Sequence, residues 1–330
     1  MCDHMEISKL FKSVSTKQIH EVMTDTFGPR TDVKQIRLMK GGLFNTTYYV
    51  EGASSEQRFI LRIAPEDTEH LLSFEKNNMS VEPYTYELMA KAGIPCTHVV
   101  RYDGSGVIID RPYMLITFIE SIQLNDPTIT LEEYNKLQEE LGGYLRQMHD
   151  ISSETFGFPQ ADGSVKGSSS WSEVLIQFST EIANLARAHH LLEPTMIDEF
   201  QNYFVSHRLL FDEVTVPSLV HNDLWDPNIL VKRGSGGLLH IAAIIDADKA
   251  MFADREFDSV LYNNVPGIMK GYGLELDMNE NAIIRRKAYE MLWLFAFLYI
   301  HEIQIELPED AAYFRDKAKV SFRNLVQLNT

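Results

Sequence analysis

The spacing of apolar residues changes character once along this chain of 330 residues, and that change limits the architectures open to it. After one helical stretch at residues 15–27, the first 120 residues carry short strand-like runs. In that first helix Ile19, Val22, Met23 and Phe27 share a face, Ser15 can cap the start, and Gly28-Pro29 ends it. Strands are expected at 35–39, 46–50, 58–63, 99–102, 106–109 and 114–118. A single helix over 82–92 interrupts them, with Pro83 in its first turn. From there the pattern is mainly helical, at 131–150, 171–190, 194–214, 282–302 and 310–327. Two short strands, 229–232 and 240–245, flank the turn RGSGG. Strands first and helices later give an α+β fold in two segregated lobes, divided as residues 1–119 and 120–330.

Charge follows the same division. Acids number 47 and bases 30, for a net −17. Residues 1–120 hold 16 acids and 13 bases, so 31 acids and 17 bases fall in residues 121–330. That balance excludes a nucleic-acid partner, which needs a basic face. It suits a cationic ligand for the second lobe, although it also serves solubility alone. Two cysteines, Cys2 and Cys96, form no zinc-type spacing. Residues 1–8 show neither a basic nor an apolar targeting region. The longest apolar run, 291–300, spans half a bilayer and reads as a core helix. A cytoplasmic protein without a membrane partner is expected.

The segment 219–231, LVHNDLWDPNILV, carries the chemistry. His221 and Asp223 are followed by Asn228, and then by Asp246 at the end of the apolar run HIAAIID. Phosphoryl transfer needs one carboxylate to take the attacking hydroxyl's proton. It needs an amide oxygen and a second carboxylate to hold Mg²⁺ against a triphosphate. A turn between strands has a purely structural reading, but four such groups in this order match the kinase pattern.

These residues resemble the aminoglycoside phosphotransferase and choline kinase superfamily, small-molecule kinases with a protein-kinase-like fold. The family's loop reads approximately HGDLxxxN and its metal strand approximately IDWxxAxxGDPxxDL; here they are HNDLWDPN and IDADKAMFADREFDSV. The resemblance runs from Gly41 to Leu261, with the C-terminal helices fitting only in general character. It implies Asp223 as catalytic base, Asn228 and Asp246 as Mg²⁺ ligands, His221 as a brace of the loop, and Asp258 as its anchor. It further implies that Gly41, Gly42 and Asn45 cover the phosphates of ATP (or GTP) and that Arg62 contacts the α- and β-phosphates. Glu82 would pair with Arg62, and Thr117 and Ile119 would bind the base through their backbone, beside Ile116 as gatekeeper. Local alternatives stand beside these roles: an ordinary hairpin at Gly41-Gly42, a surface strand arginine, a first-turn carboxylate at Glu82, and a plain core strand at 113–121. Two residues depart from the pattern: Asn222 replaces the loop glycine, and Ala247 replaces the aromatic after the metal aspartate.

The acceptor would be a small, cationic hydroxyl compound such as an aminoglycoside, an amino sugar or a choline-like alcohol. Its candidate contacts are Trp225, Asp226, Glu256, Trp171 and the helix around 293–302, including Glu302. Asp226 could meet a cation or cap the turn before Pro227. Glu302 and Glu306 are spaced to share a helix face. His149, His189 and His190 read as ordinary helix residues. Asp254 follows Asp246 by only eight positions, too few for the long regulatory segment of a protein kinase. The competing readings are a nucleotide-binding module without catalysis and a protein kinase.

Overall fold

A computed structural model of the chain describes residues 10–39, 44–54 and 57–328. The first helix, α1 (Thr16–Phe27), begins at a capping box between Ser15 and Gln18. It packs on an antiparallel sheet of β1 (Val33–Leu38), β2 (Thr46–Gly52), β3 (Arg58–Ile63), β4 (Val99–Asp103) and β5 (Tyr113–Thr117), ordered β1-β2-β3-β5-β4. Strand alternation sorts the side chains. Phe59, Leu61 and Ile63 of β3, with Tyr113 and Leu115 of β5, join Ile19, Val22 and Met23 in one core. Their neighbours Ile60, Met114 and Ile116 face the opposite core, and Ile60 and Ile116 line the interlobe cleft together with Arg62. The run expected as a strand at 106–109 is instead a series of bends. Gly106 has φ +74°, and the Ser105 amide donates to Asp103 Oδ1 at 2.8 Å, which ends β4. Ile109 is apolar because it is buried there, not because it is paired.

The second helix, α2 (Asn78–Lys91), starts four residues before the expected point and follows a 3₁₀ turn at Glu75–Asn77. Pro83 therefore sits inside the helix rather than in its first turn. Packing accounts for this. Met79, Glu82, Tyr86 and Met89 fall at i, i+3, i+7 and i+10, and all four are buried.

The chain leaves the first sheet after Thr117 and enters β6 (Ile122–Gln123). Helix α3 (Leu131–His149), the hairpin β7 (Phe156–Pro159) and β8 (Val165–Ser168), and helices α4 (Trp171–Ala188), α5 (Pro194–Ser206) and α6 (Arg208–Phe211) follow. The long helix expected over 194–214 is thus broken at His207. Next come β9 (Ser218–Val220), β10 (Ile229–Arg233), β11 (Leu239–Ile244) and β12 (Met251–Ala253). The last helices are α7 (Ser259–Tyr262), α8 (Pro266–Tyr272), α9 (Glu280–Tyr299) and α10 (Pro308–Leu328). Helices α3 and α8 pack very closely: a Cβ on Gly142 would lie 2.1 Å from the Ile268 carbonyl oxygen. The run 291–300 is buried in the largest core, and no helix among the described residues is long and apolar enough to cross a membrane.

Two small sheets position the chemistry. In the sheet β11-β10-β6, Ile229 pairs with Ile244, which sets Asn228 beside Ile245 and Asp246. In the sheet β8-β7-β12-β9, Met251 pairs with Val220. The turn that follows β9 and the turn that precedes β12 therefore lie side by side.

Candidate active site

Between the lobes lies a cleft of about 1220 Å³. Its floor is the turn after β9. His221 is fully buried; its amide donates to Asp258 Oδ2 at 2.9 Å, and its Nδ1 accepts the Asp223 amide at 3.3 Å. Burial lowers the imidazole's pKa, which favours the neutral ring that this acceptor role requires. Asp258 also lies 3.7 Å from His149 Nε2, and His149 Nδ1 lies 2.9 Å from the Tyr272 hydroxyl. His149 is thus a buried member of the network under the loop, not the ordinary helix residue its sequence position suggested.

Asn222 adopts φ +62°, the left-handed region that asparagine tolerates better than most residues. This explains how asparagine can replace the glycine of the HGD pattern. Its side chain also does what glycine cannot: Nδ2 donates to the Lys249 carbonyl at 3.1 Å. Asn228 Nδ2 donates to the Asp223 carbonyl at 2.9 Å and to Asp223 Oδ2 at 3.2 Å. That leaves the amide oxygen as the acceptor end of Asn228.

Opposite the loop, Arg62 is buried and bridges Glu82 and Asp246. Burial alone would lower the guanidinium's pKa, but the two carboxylates more than offset it. The Tyr86 hydroxyl donates to Glu82 Oε1 at 2.6 Å and accepts the Asp246 amide at 2.9 Å. Asp246 itself holds φ +63°. Asp223, Asp246 and Asp248 each offer an oxygen, all within 4.8 Å of one another. Asp248 was not among the residues the sequence singled out, although the second acid of IIDAD was the available signal. Its Oδ1 is buried without a hydrogen-bond partner among the described residues, and burial raises its pKa. Three hard carboxylate oxygens, one of them orphaned, form a donor set suited to Mg²⁺.

The remaining candidates are distributed unevenly. Asn45, Thr117, Ile119 and Trp225 line the cleft, as do Arg62, Glu82, Asp223, Asn228 and Asp246. Gly41 and Gly42 lie outside the described residues. The Thr117 N–H is used internally, donating to His98 O at 2.9 Å, and its carbonyl accepts from Thr97 Oγ1 at 3.0 Å. Asp226 accepts the Tyr134 hydroxyl at 3.1 Å and is not part of the cleft lining. Nor is Glu256, which is buried against Arg286. Glu302 pairs with Arg315 at 3.1 Å and also lies off the lining. It does not share a helix face with Glu306, because α9 ends at Tyr299 and a π-turn follows. Trp171 is a core residue bonded to the Tyr289 hydroxyl at 2.9 Å.

The cleft is also lined by residues of the stretch 293–302 expected to meet the acceptor, joined by Phe314, which the sequence did not single out. Trp293, Phe297, His301 and Phe314 form an aromatic wall, with Phe297 and Phe314 centroids 5.3 Å apart and His301 and Phe314 4.5 Å apart. Near it lies Glu75, which accepts the Leu72 amide and Gln304 Nε2, each at 2.7 Å. Burial pushes the Glu75 carboxyl up to about 7.

A five-stranded antiparallel sheet over a mainly helical lobe, with a carboxylate cluster and a buried arginine–glutamate pair at the junction, defines a two-lobed kinase-like phosphotransferase. The chain belongs to the Phosphotransferase enzyme family, whose sequence profile matches residues 35–265. A Lactiplantibacillus plantarum protein named "Probable ketoamine kinase" is 22% identical over 284 residues, covering 82% of this chain and 90% of that protein. The crystal structure of a Haemophilus somnus 129PT protein named "Putative fructosamine-3-kinase" superposes with a TM-score of 0.66 at 14% identity, covering 94% of this chain and 97% of that one. The gentamicin complex of APH(2")-IIa gives a TM-score of 0.61 at 14% identity, covering 94% of this chain and 97% of that one. The kinase-like fold and a small-molecule phosphotransferase activity are thereby shown.

Proposed function

We propose that the enzyme transfers the γ-phosphoryl group of ATP (or GTP), with Mg²⁺, to a hydroxyl of a small amine-bearing molecule in the cytoplasm. The observation that carries this reading is the meeting of Asp223 with Asp246, Asp248 and the Arg62–Glu82 pair in one cleft. Asp223 takes the proton of the acceptor hydroxyl as its oxygen attacks phosphorus. Asn228, Asp246 and Asp248 would hold the metal, which supplies charge neutralisation for the phosphates when bound. Arg62, oriented by Glu82, binds the phosphate chain with its planar fork. Ile60, Ile116, Ile122, Leu230 and Ile245 give the nucleobase an apolar slot beside Thr117 and Ile119.

Two observations support an amine-bearing acceptor. The helical half carries most of the acidic surplus, and relatives of this fold are named for ketoamine, fructosamine and aminoglycoside substrates. The aromatic wall suits the apolar face of a ring, and Glu75 offers a carboxyl for an amine. Trp225, 55% exposed at the cleft, adds a second aromatic surface.

The test is a panel of amine-bearing alcohols, incubated with ATP and with GTP and read by the mass gain of one phosphoryl group. Asp223→Ala should abolish that gain while nucleotide still binds. Undiminished turnover in this variant would remove Asp223 from the mechanism.

A further inference from the structure

The reading above assigns no role to Lys249, a charged residue of the cleft lining. Lys249 stands on the 3₁₀ turn Ala247–Lys249, between Asp246 and β12. Its Nζ lies 3.0 Å from Asp223 Oδ2, and its side chain is 14% exposed. A nearly dehydrated ammonium is costly to bury, and a buried ion pair seldom improves stability over apolar packing. A purely structural role is therefore a weak account of it.

Three features point toward the transferring phosphate instead. Lys249 lines the same cleft as the carboxylate cluster. It is held from behind, since Asn222 Nδ2 binds its carbonyl oxygen and the β9–β12 pairing fixes both turns. Its ammonium meets the base on Oδ2, the oxygen that also receives Asn228, so Oδ1 is the oxygen left to face an acceptor hydroxyl. Charge gives the reason for a cation here. Asp223, Asp246 and Asp248 are three acids that crowd one site, and Arg62 is already shared between Glu82 and Asp246. An anionic phosphoryl group approaching Asp223 would meet like charge unless a cation stood between them. A lysine suits the task, because a compact ammonium on a flexible stem can keep one contact while making another.

We propose that Lys249 is a phosphate-contacting catalytic residue, resting on Asp223 in the free enzyme and bridging Asp223 to the γ-phosphate when the nucleotide is bound. The proposal rests on the kinase reading. Lys249 gives up no proton: the bond from acceptor oxygen to phosphorus forms as the bond to the nucleoside diphosphate breaks, and the hydroxyl proton goes to Asp223.

The experiment compares the magnesium complexes of ADP and of β,γ-imido-ATP by calorimetry on the full chain, with thermal unfolding measured alongside. The wild-type protein should prefer the γ-bearing analogue. In Lys249→Met that analogue should bind on the order of tenfold more weakly while ADP affinity stays unchanged. Lys249→Arg, which keeps the charge and the fold, should retain most of the preference. Asn222→Gly, which frees the Lys249 carbonyl, should lose part of it. Equal weakening of both nucleotides, or no change in their ratio, would overturn the role of Lys249 and leave the kinase reading intact. A wild-type protein that binds neither nucleotide would overturn both.

Discussion

Glu75 gives the molecule a pH dependence that can be worked out in advance. It is buried, it accepts hydrogen bonds from the Leu72 amide and Gln304, and the charged groups acting on it are Lys249 and Glu181. Burial raises its pKa from 4.5 to about 7, and Lys249 and the two hydrogen bonds only partly offset that. The folded protein therefore holds this proton more tightly than the unfolded chain does. The sign follows: stability is fully present below pH 4.5, falls as the pH rises from there to about 7, and levels off above. A shift of this size corresponds to about 3 kcal/mol between the two limits, as an order of magnitude. Glu75→Gln keeps an oxygen for both hydrogen bonds and removes the titration. The assay is urea unfolding of both proteins from pH 4.5 to pH 8. The variant should match the wild type at the acidic end and exceed it progressively towards pH 8. Parallel curves across the range would refute the argument, since they would mean that Glu75 titrates alike in both states.

The Arg62→Met variant leaves Glu82 and Asp246 without their cation, so it should lose both nucleotide affinity and about 3–5 kcal/mol of stability; adding Glu82→Leu should restore part of the stability and none of the affinity, as calorimetry and urea titration would show. Asn222→Ala places a Cβ residue at φ +62° without the bond to Lys249 and should lower stability by about 1 kcal/mol in urea unfolding. Gly142→Ala should destabilise by about 1–3 kcal/mol, because its Cβ would strike the Ile268 carbonyl and push α8 from α3; a Tm equal to the wild type's would contradict that packing.

The first lobe was legible because its strands alternate. The same period that put Phe59, Leu61 and Ile63 in one core left Arg62 on the cleft side. Helix α2 was misjudged at its start because Pro83 looked like a first-turn residue, whereas burial of Met79 and Glu82 on a common face extended the helix past it. The strands β7, β8, β9 and β12 have three or four residues each, too short for a period to show. The loop aspartates were readable because their chemistry requires fixed spacing. The acceptor side was not, because partners far along the chain decide which acids are free. Glu256 is neutralised by Arg286 thirty residues later, and Glu302 by Arg315 on α10. Phe314 and Glu75 join Trp293, Phe297 and His301 from separate elements, and no local pattern announces that meeting.

The Tyr86 hydroxyl, bonded at once to Glu82 and to the amide of Asp246, bears on inhibitor design. Swinging α2 outward would carry Tyr86 and Glu82 together, break the bond to the Asp246 amide and part Glu82 from the buried Arg62. Compounds that reach behind the nucleotide by displacing this helix would have to supply that free energy themselves, and their affinity would suffer by the same amount. Compounds shaped to the closed cleft bear no such cost. Tyr86→Phe should therefore sensitise the enzyme to the first kind of compound and leave its response to the second unchanged.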